Sequence, residues 1–208
     1  MAVELNERQR EAVMYGEGPL LVLAGAGSGK TRVITTRVAT LIGNGTPPSA
    51  MLALTFTNKA AREMRHRLGT LLGAQAGDLW MSTFHSAAAQ ILRRHIHHLG
   101  YTSSFSIYDD QDCTKLLRRC LAEEGIGEQA GTPAAIGWAI DRAKNEGLGP
   151  EERARRPMSG EAIVRVYRRY QRALQRQNAV DFGDLIMLAA RVLREQPEVL
   201  VRYRARLR

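Results

Sequence analysis

Cysteine is scarce in this sequence, with only Cys113 and Cys120 present. They fall two turns apart within one predicted helix, too far for a disulfide, and two thiols make no zinc framework. With Leu116, Leu117 and Leu121 on the same face they read as core, which points to a reducing compartment. Long apolar runs are missing too. No stretch approaches membrane-spanning length, and Met1-Ala2-Val3-Glu4-Leu5-Asn6 places no basic segment ahead of an apolar one. A membrane is therefore excluded as a partner, and the cytoplasm is the expected location. Repeats and low-complexity segments are absent, as is any Ser-His-Asp or Cys-His arrangement for nucleophilic catalysis. His95, His97 and His98 cluster, but adjacent helical positions do not face each other and no ligand follows at metal spacing. Acid is short relative to base: 30 Lys plus Arg stand against 21 Asp plus Glu, leaving +9. Such a field attracts polyanions, nucleic acid first among them.

What the chain does hold is one dense stretch, Leu20-Leu21-Val22-Leu23-Ala24-Gly25-Ala26-Gly27-Ser28-Gly29-Lys30-Thr31. An apolar run of strand length passes into a glycine-rich turn, and a lysine and a threonine open a predicted helix. That order aims free backbone N–H groups and the positive end of a helix dipole at one spot. Glycines at 25, 27 and 29 remove Cβ atoms that would hold a polyphosphate away. Lys30 can then reach β- and γ-phosphate oxygens, and the Thr31 hydroxyl is placed to ligate the accompanying magnesium. A nucleoside triphosphate site follows. The strict P-loop pattern wants glycine at 24, where this chain has Ala24.

In the 208 residues, 44% of them hydrophobic, there is room for one or two domains. Asn6 followed by Gln9 is a capping-box arrangement at the start of a short helix, although a glutamine amide can also read an adenine edge. A helix over 32–42 ends in Gly43-Asn44-Gly45. Met51 to Phe56 reads as a second buried strand, with a helix over 59–72. Leu79 to Phe84 reads as a third, with a helix from His85 or Ser86. Three alternations of strand and helix argue an α/β fold, a parallel sheet whose strand ends face one crevice. The cradle, Phe56-Thr57-Asn58 and Thr83-Phe84-His85 would then share a rim. Aromatics at strand ends beside hydroxyl and amide groups suit single-stranded nucleic acid, yet on pattern alone both phenylalanines belong inside.

After Ile91 the rhythm becomes helix upon helix. Asp109 caps one over 111–124; Thr132-Pro133 opens another that closes at Asn145-Glu146-Gly147; Ser159 precedes a third to about Gln177; Asp181 starts a fourth. Gly125 to Pro133 and Gly147 to Pro157 read as looser connections. The expected division is 1–88 for the α/β part and 89–208 for an all-helical part, which carries the larger share of the basic excess. Arg165, Arg169, Arg172 and Arg176 recur at helical spacing opposite Ile163, Tyr167, Tyr170 and Leu174. One face packs; the other is either solvated or a partner for duplex phosphates.

Several separated stretches together resemble one family, the UvrD-like superfamily 1A DNA helicases: Leu5-Asn6-x-x-Gln9, Ala24 to Arg32, Thr55 to Ala61, Ser82 to Ser86 and Asp181 to Leu185. In that family alanine is normal at the position of Ala24. The resemblance implies an incomplete RecA-like P-loop sheet with the helical accessory subdomain called 1B inserted into it. It implies ATP and Mg2+ as cofactors, Gln9 as adenine reader and Arg32 as a nucleotide neighbour. By the same resemblance Phe56, Thr57, Asn58, Thr83, Phe84 and His85 contact single-stranded DNA, and Arg165, Arg169 and Arg172 lie against duplex. ATP-driven 3′ to 5′ translocation and unwinding, in DNA repair or replication with proteins of those processes as partners, is the implied activity. The family's Asp-Glu pair and arginine finger are expected beyond Arg208, which would leave these 208 residues inactive alone. Two other readings stay open, an unrelated P-loop NTPase or kinase and a noncatalytic nucleic-acid-binding module with a vestigial P-loop.

Overall fold

The computed structural model describes residues 4–126, 132–157 and 160–207. The chain divides into two compact units, one running to Thr83 and resuming at Tyr203, the other Phe84–Arg202. Helices dominate both, with a small parallel strand pair in each.

In the first unit α1 (Glu7–Met14) starts on a complete capping box, the Gln9 N–H donating to Asn6 Oδ1 at 2.9 Å and the Asn6 N–H to Gln9 Oε1 at 3.1 Å. Its buried Ala12 and Val13 pack on Val33 of α2 (Lys30–Gly43). Arg37 of α2 fastens the two helices by donating to the main-chain oxygens of Ala12, Val13 and Tyr15. Strand β1 (Leu52–Thr55) pairs in parallel with β2 (Trp80–Thr83), Thr55 opposite Thr83. The crossover between them is α3 (Asn58–Leu72), capped where Thr57 Oγ1 accepts the Ala60 N–H at 3.1 Å. Ile42, Met51, Met64, Leu68, Leu79 and Met81 form the core beneath.

The expected strand at 20–23 is not formed. Leu21 and Leu23 are 81% and 86% exposed, and among the described residues no strand pairs with this run. A continuous apolar segment suits a strand buried on both faces, and without neighbours on either side its ladder has nothing to bond.

The second unit contains α4 (Phe84–His95), β3 (Ser106–Ile107), α5 (Asp110–Glu123), α6 (Pro133–Asn145), α7 (Pro150–Ala154), α8 (Glu161–Arg176), β4 (Ala179–Val180) and α9 (Phe182–Glu195). Asp109, Thr132 and Asp181 cap α5, α6 and α9 as the sequence indicates. Leu116, Leu117, Cys120 and Leu121 meet Ile136, Ile140, Tyr167, Tyr170 and Leu174 in one core. Both cysteines are free, Cys120 buried and Cys113 half-buried, and burial raises the pKa of each thiol. Two expectations need correcting. The unit is not wholly helical, because β3 and β4 form a parallel ladder in which the Ser106 N–H donates to Asn178 O and the Tyr108 N–H to Val180 O, each at 2.9 Å. A pairing of two residues is too short to show alternation in sequence. Within the looser 147–157 connection, Pro150 at the first helical position nucleates α7. Ser159 lies outside the described residues, and so does most of the 125–133 connection; α8 begins after Gly160.

The last helix, α10 (Pro197–Arg206), ends in residues of the first unit. There the Tyr203 ring lies 6.2 Å from that of Trp80, the Arg206 guanidinium sits 5.7 Å from the Trp80 ring, and Arg206 Nε donates to Ser49 O at 3.1 Å.

Candidate functional site

The glycine-rich turn is built as a cradle. Gly27 and Gly29 have φ of 75° and 84°, left-handed values that side chains resist. The Ser28 N–H and Oγ both donate to Gly25 O, at 3.4 and 2.7 Å, which closes the turn. Helix α2 then starts at Lys30 with no side chain capping it, and the first ladder bond runs from Val33 N to Gly29 O at 3.0 Å. The amides of its first turn therefore remain for a ligand. A Cβ at 25 or 27 would meet nothing within 4 Å, so space is open over the turn. Lys30 Nζ folds onto the edge of the cradle, donating to Ala24 O at 3.0 Å and Gly25 O at 2.6 Å. Thr31 is half-buried in the first turn beside it, and Arg32 reaches back toward Glu4 O at 3.5 Å. Gln9 enters from α1, its Nε2 donating to Ser28 O at 3.0 Å. Ala26 is exposed, as is the rest of the turn apart from half-buried Gly29.

Register brings the next group together. Because Thr55 lies opposite Thr83, Phe56-Thr57-Asn58 follows β1 at the sheet end where Thr83 finishes β2. Phe56 is 90% exposed, the reverse of what pattern alone favours, since strand β1 ends just before it and α3 turns away just after. Thr57 spends its hydroxyl lone pair on the α3 cap, and Asn58 is the first residue of that helix. Phe84 is exposed as well. It opens α4 in the second unit, and His85 beside it stacks on Phe182, with ring centroids 3.9 Å apart and planes 19° from parallel. Partial burial lowers the His85 pKa. Phe182 is 58% exposed.

The arginine face of α8 is concave and partly neutralised. Arg169 pairs with Glu123 at 3.0 Å and with Glu124, Arg165 lies 3.7 Å from Glu124, and Arg168 holds Glu151 with two bonds of 2.8 and 2.7 Å. Arg172 makes no ion pair among the described residues.

The profile of the UvrD/REP helicase N-terminal domain matches residues 5–208. The chain belongs to that family. An ATP-dependent DNA helicase PcrA from Leuconostoc citreum is 43% identical over 203 residues, covering 96% of this chain and 27% of the relative. The PcrA helicase of Bacillus subtilis is 43% identical over 204 residues, and that of Staphylococcus aureus strain Mu50 over 202. This UvrD/REP-type chain thus spans about a quarter of the length of the relatives it matches.

Two features of this family member escape a sequence reading. Phe182, 58% exposed, is the first residue of α9, directly after the N-cap Asp181 whose capping box with Asp184 fixes that first turn. An aromatic placed between two acids at a helix start was the available signal. The second is Lys144, which sits in a helix of ordinary periodicity and gives no sign of burial. Its Nζ lies 2.6 Å from Asp181 Oδ2 and 2.8 Å from Asp184 Oδ1, while Tyr170 OH donates to Asp181 Oδ2 at 3.1 Å and Gln171 Nε2 to both Asp184 oxygens at 3.1 Å. Burial alone would lower the lysine pKa, but the two carboxylates outweigh it and hold the ammonium charged. Burial pushes the Asp184 carboxyl up against the pull of Lys144. Among the described residues no helix is long and apolar enough to cross a membrane.

Proposed function

We propose that this chain is the ATP- and DNA-binding N-terminal part of a cytoplasmic ATP-dependent 3′ to 5′ DNA helicase active in repair or replication, with proteins of those processes as partners. Family membership and the ATP-dependent DNA helicase activity of the PcrA relatives support this reading. The observation that carries it is the open first turn of α2 with Lys30 folded over it. In this reading the first unit is part of a RecA-like domain 1A and the helical unit is its subdomain 1B.

Each residue has a role in the proposal. Main-chain amides from Gly25 to Thr31 receive the triphosphate, with Ala24, Ala26 and Ser28 shaping the turn. Lys30 moves from its carbonyl acceptors onto phosphate oxygens, and Thr31 supplies a hydroxyl to Mg2+. The metal ion contributes charge neutralisation of the phosphates. Gln9 reads adenine, and Arg32 neighbours the nucleotide. Phe56, Phe84 and Phe182 offer stacking faces to single-stranded DNA, with Thr57, Asn58, Thr83 and His85 as polar neighbours. Arg165, Arg169 and Arg172 face duplex phosphates. The complete enzyme bearing Lys30→Ala should lose DNA-stimulated ATP hydrolysis. Turnover at the normal rate would remove Lys30 from the site, and ATP turnover indifferent to DNA would favour an unrelated NTPase.

A further inference from the structure

The first turn of α9 carries the exposed Phe182, and the residues around it are held by one side chain of α6. Lys144 is buried, with its Nζ 2.6 Å from Asp181 Oδ2 and 2.8 Å from Asp184 Oδ1. Its aliphatic stem lies as close to Gly183, where an added Cβ would stand 3.2 Å from Lys144 Cδ and 3.3 Å from Lys144 Cβ. Glycine lets α9 settle on the stem at a separation that a side chain would have to push apart. Asp181, Gly183 and Asp184 are thus all seated on Lys144, while the Phe182 ring is left in solvent. From α4, His85 stacks on that ring, with centroids 3.9 Å apart. The ring is therefore fixed twice, through its backbone by Lys144 and through its face by His85.

Fold stability does not account for this arrangement. Replacing a buried ion pair by apolar residues is often neutral or stabilising, because desolvation offsets most of the Coulomb attraction. What a charged, hydrogen-bonded set supplies is direction. Tyr170 OH and Gln171 Nε2 donate to the same two carboxylates at 3.1 Å, so sliding or rotating α9 would leave buried polar groups unpaired. A stacking platform gains from that restraint, since a ring held in place beforehand loses less freedom when a base lands on it.

We infer that Lys144 is a positioning residue for single-strand binding, acting through Asp181 and Asp184 to hold Phe182 against His85 as a preformed platform. This rests on the reading that Phe182 offers a stacking face to single-stranded DNA.

The test is fluorescence anisotropy of a labelled oligo-dT with the 208-residue chain, without nucleotide, beside denaturant melts and NMR of the His85 ring. Lys144→Met alone strands the buried Asp184 charge, so the informative variant is Lys144→Met/Asp184→Asn. It removes both charges and keeps an acceptor for Gln171 and for the Asp181 N–H. Stability should return close to that of the parent chain. Oligo-dT affinity should nevertheless stay roughly threefold to tenfold lower, and the His85 resonances should move toward their positions in Phe182→Ala as the ring current is lost. Phe182→Ala should itself bind roughly tenfold more weakly, and in that background the Lys144 and Asp184 substitutions should cost no further affinity. Affinity that recovers along with stability, an additive loss in the Phe182→Ala background, or His85 resonances that stay in place would overturn the role of Lys144. Phe182→Ala binding as tightly as the parent chain would overturn the underlying single-strand reading, a distinct result because no Lys144 variant enters it.

Discussion

Gln9 Nε2 donates to the main-chain oxygen of Ser28 across 3.0 Å while its Oε1 accepts the Asn6 N–H at 3.1 Å. One amide thus closes the cap of α1 and braces the turn that opens α2. Gln9→Glu keeps the acceptor and removes the donor. Its expected signature is a denaturation midpoint close to that of the parent chain with weaker binding of a fluorescent ATP analogue. Gln9→Ala should lose both, with a stability cost of about 1 kcal/mol.

Two glycines of the cradle separate strain from access. Gly29 has φ of 84°, and a Cβ there would come within 2.9 Å of Gln9 Nε2. Gly29→Ala should therefore destabilise by about 1–2 kcal/mol. At Gly25 an added Cβ meets nothing within 4 Å. Gly25→Ala should leave stability within about 0.5 kcal/mol and still reduce nucleotide affinity, because the methyl group occupies phosphate space. Denaturant melts beside nucleotide titrations distinguish the two outcomes.

Phe56 covers almost no core. Phe56→Ala should shift stability by no more than about 0.5 kcal/mol, yet cost about 1–3 kcal/mol in binding a single-stranded oligonucleotide if a base stacks on the ring. Equal affinities for the two chains would leave Phe56 without a nucleic-acid role.

Much of this was legible in the sequence because the signals were local. The caps at Asn6, Asp109, Thr132 and Asp181 depend on residues within three positions, and the structure has all four. The parallel β1–β2 pair followed from alternating strand and helix. What failed depended on distant partners. Leu20 to Leu23 has strand composition but no neighbouring strand among the described residues, and the β3–β4 ladder joins residues more than seventy positions apart. Exposure of Phe56 depends on where β1 stops, which composition does not encode. Burial of Lys144 depends on two aspartates that arrive with α9.

That buried lysine supports a stability prediction. Lys144→Met leaves Asp184 fully buried without its cation, and removing one partner of a buried ion pair costs about 3–5 kcal/mol. Thermal unfolding followed by circular dichroism should show a large drop in midpoint. A drop comparable to that of an exposed substitution would mean that Asp184 takes up a proton at little cost.

The clasp of Tyr203 and Arg206 on Trp80 and Ser49 bears on how the polypeptide is made. Tyr203 and Arg206, which belong to the earlier body, leave the ribosome only after Phe84–Arg202 has emerged. The later-made body can therefore close first, while the earlier one waits with Trp80 uncovered. Once that intervening length has collapsed, its ends are tethered by a folded object instead of a loose coil, and the entropy lost in bringing Arg206 home shrinks accordingly.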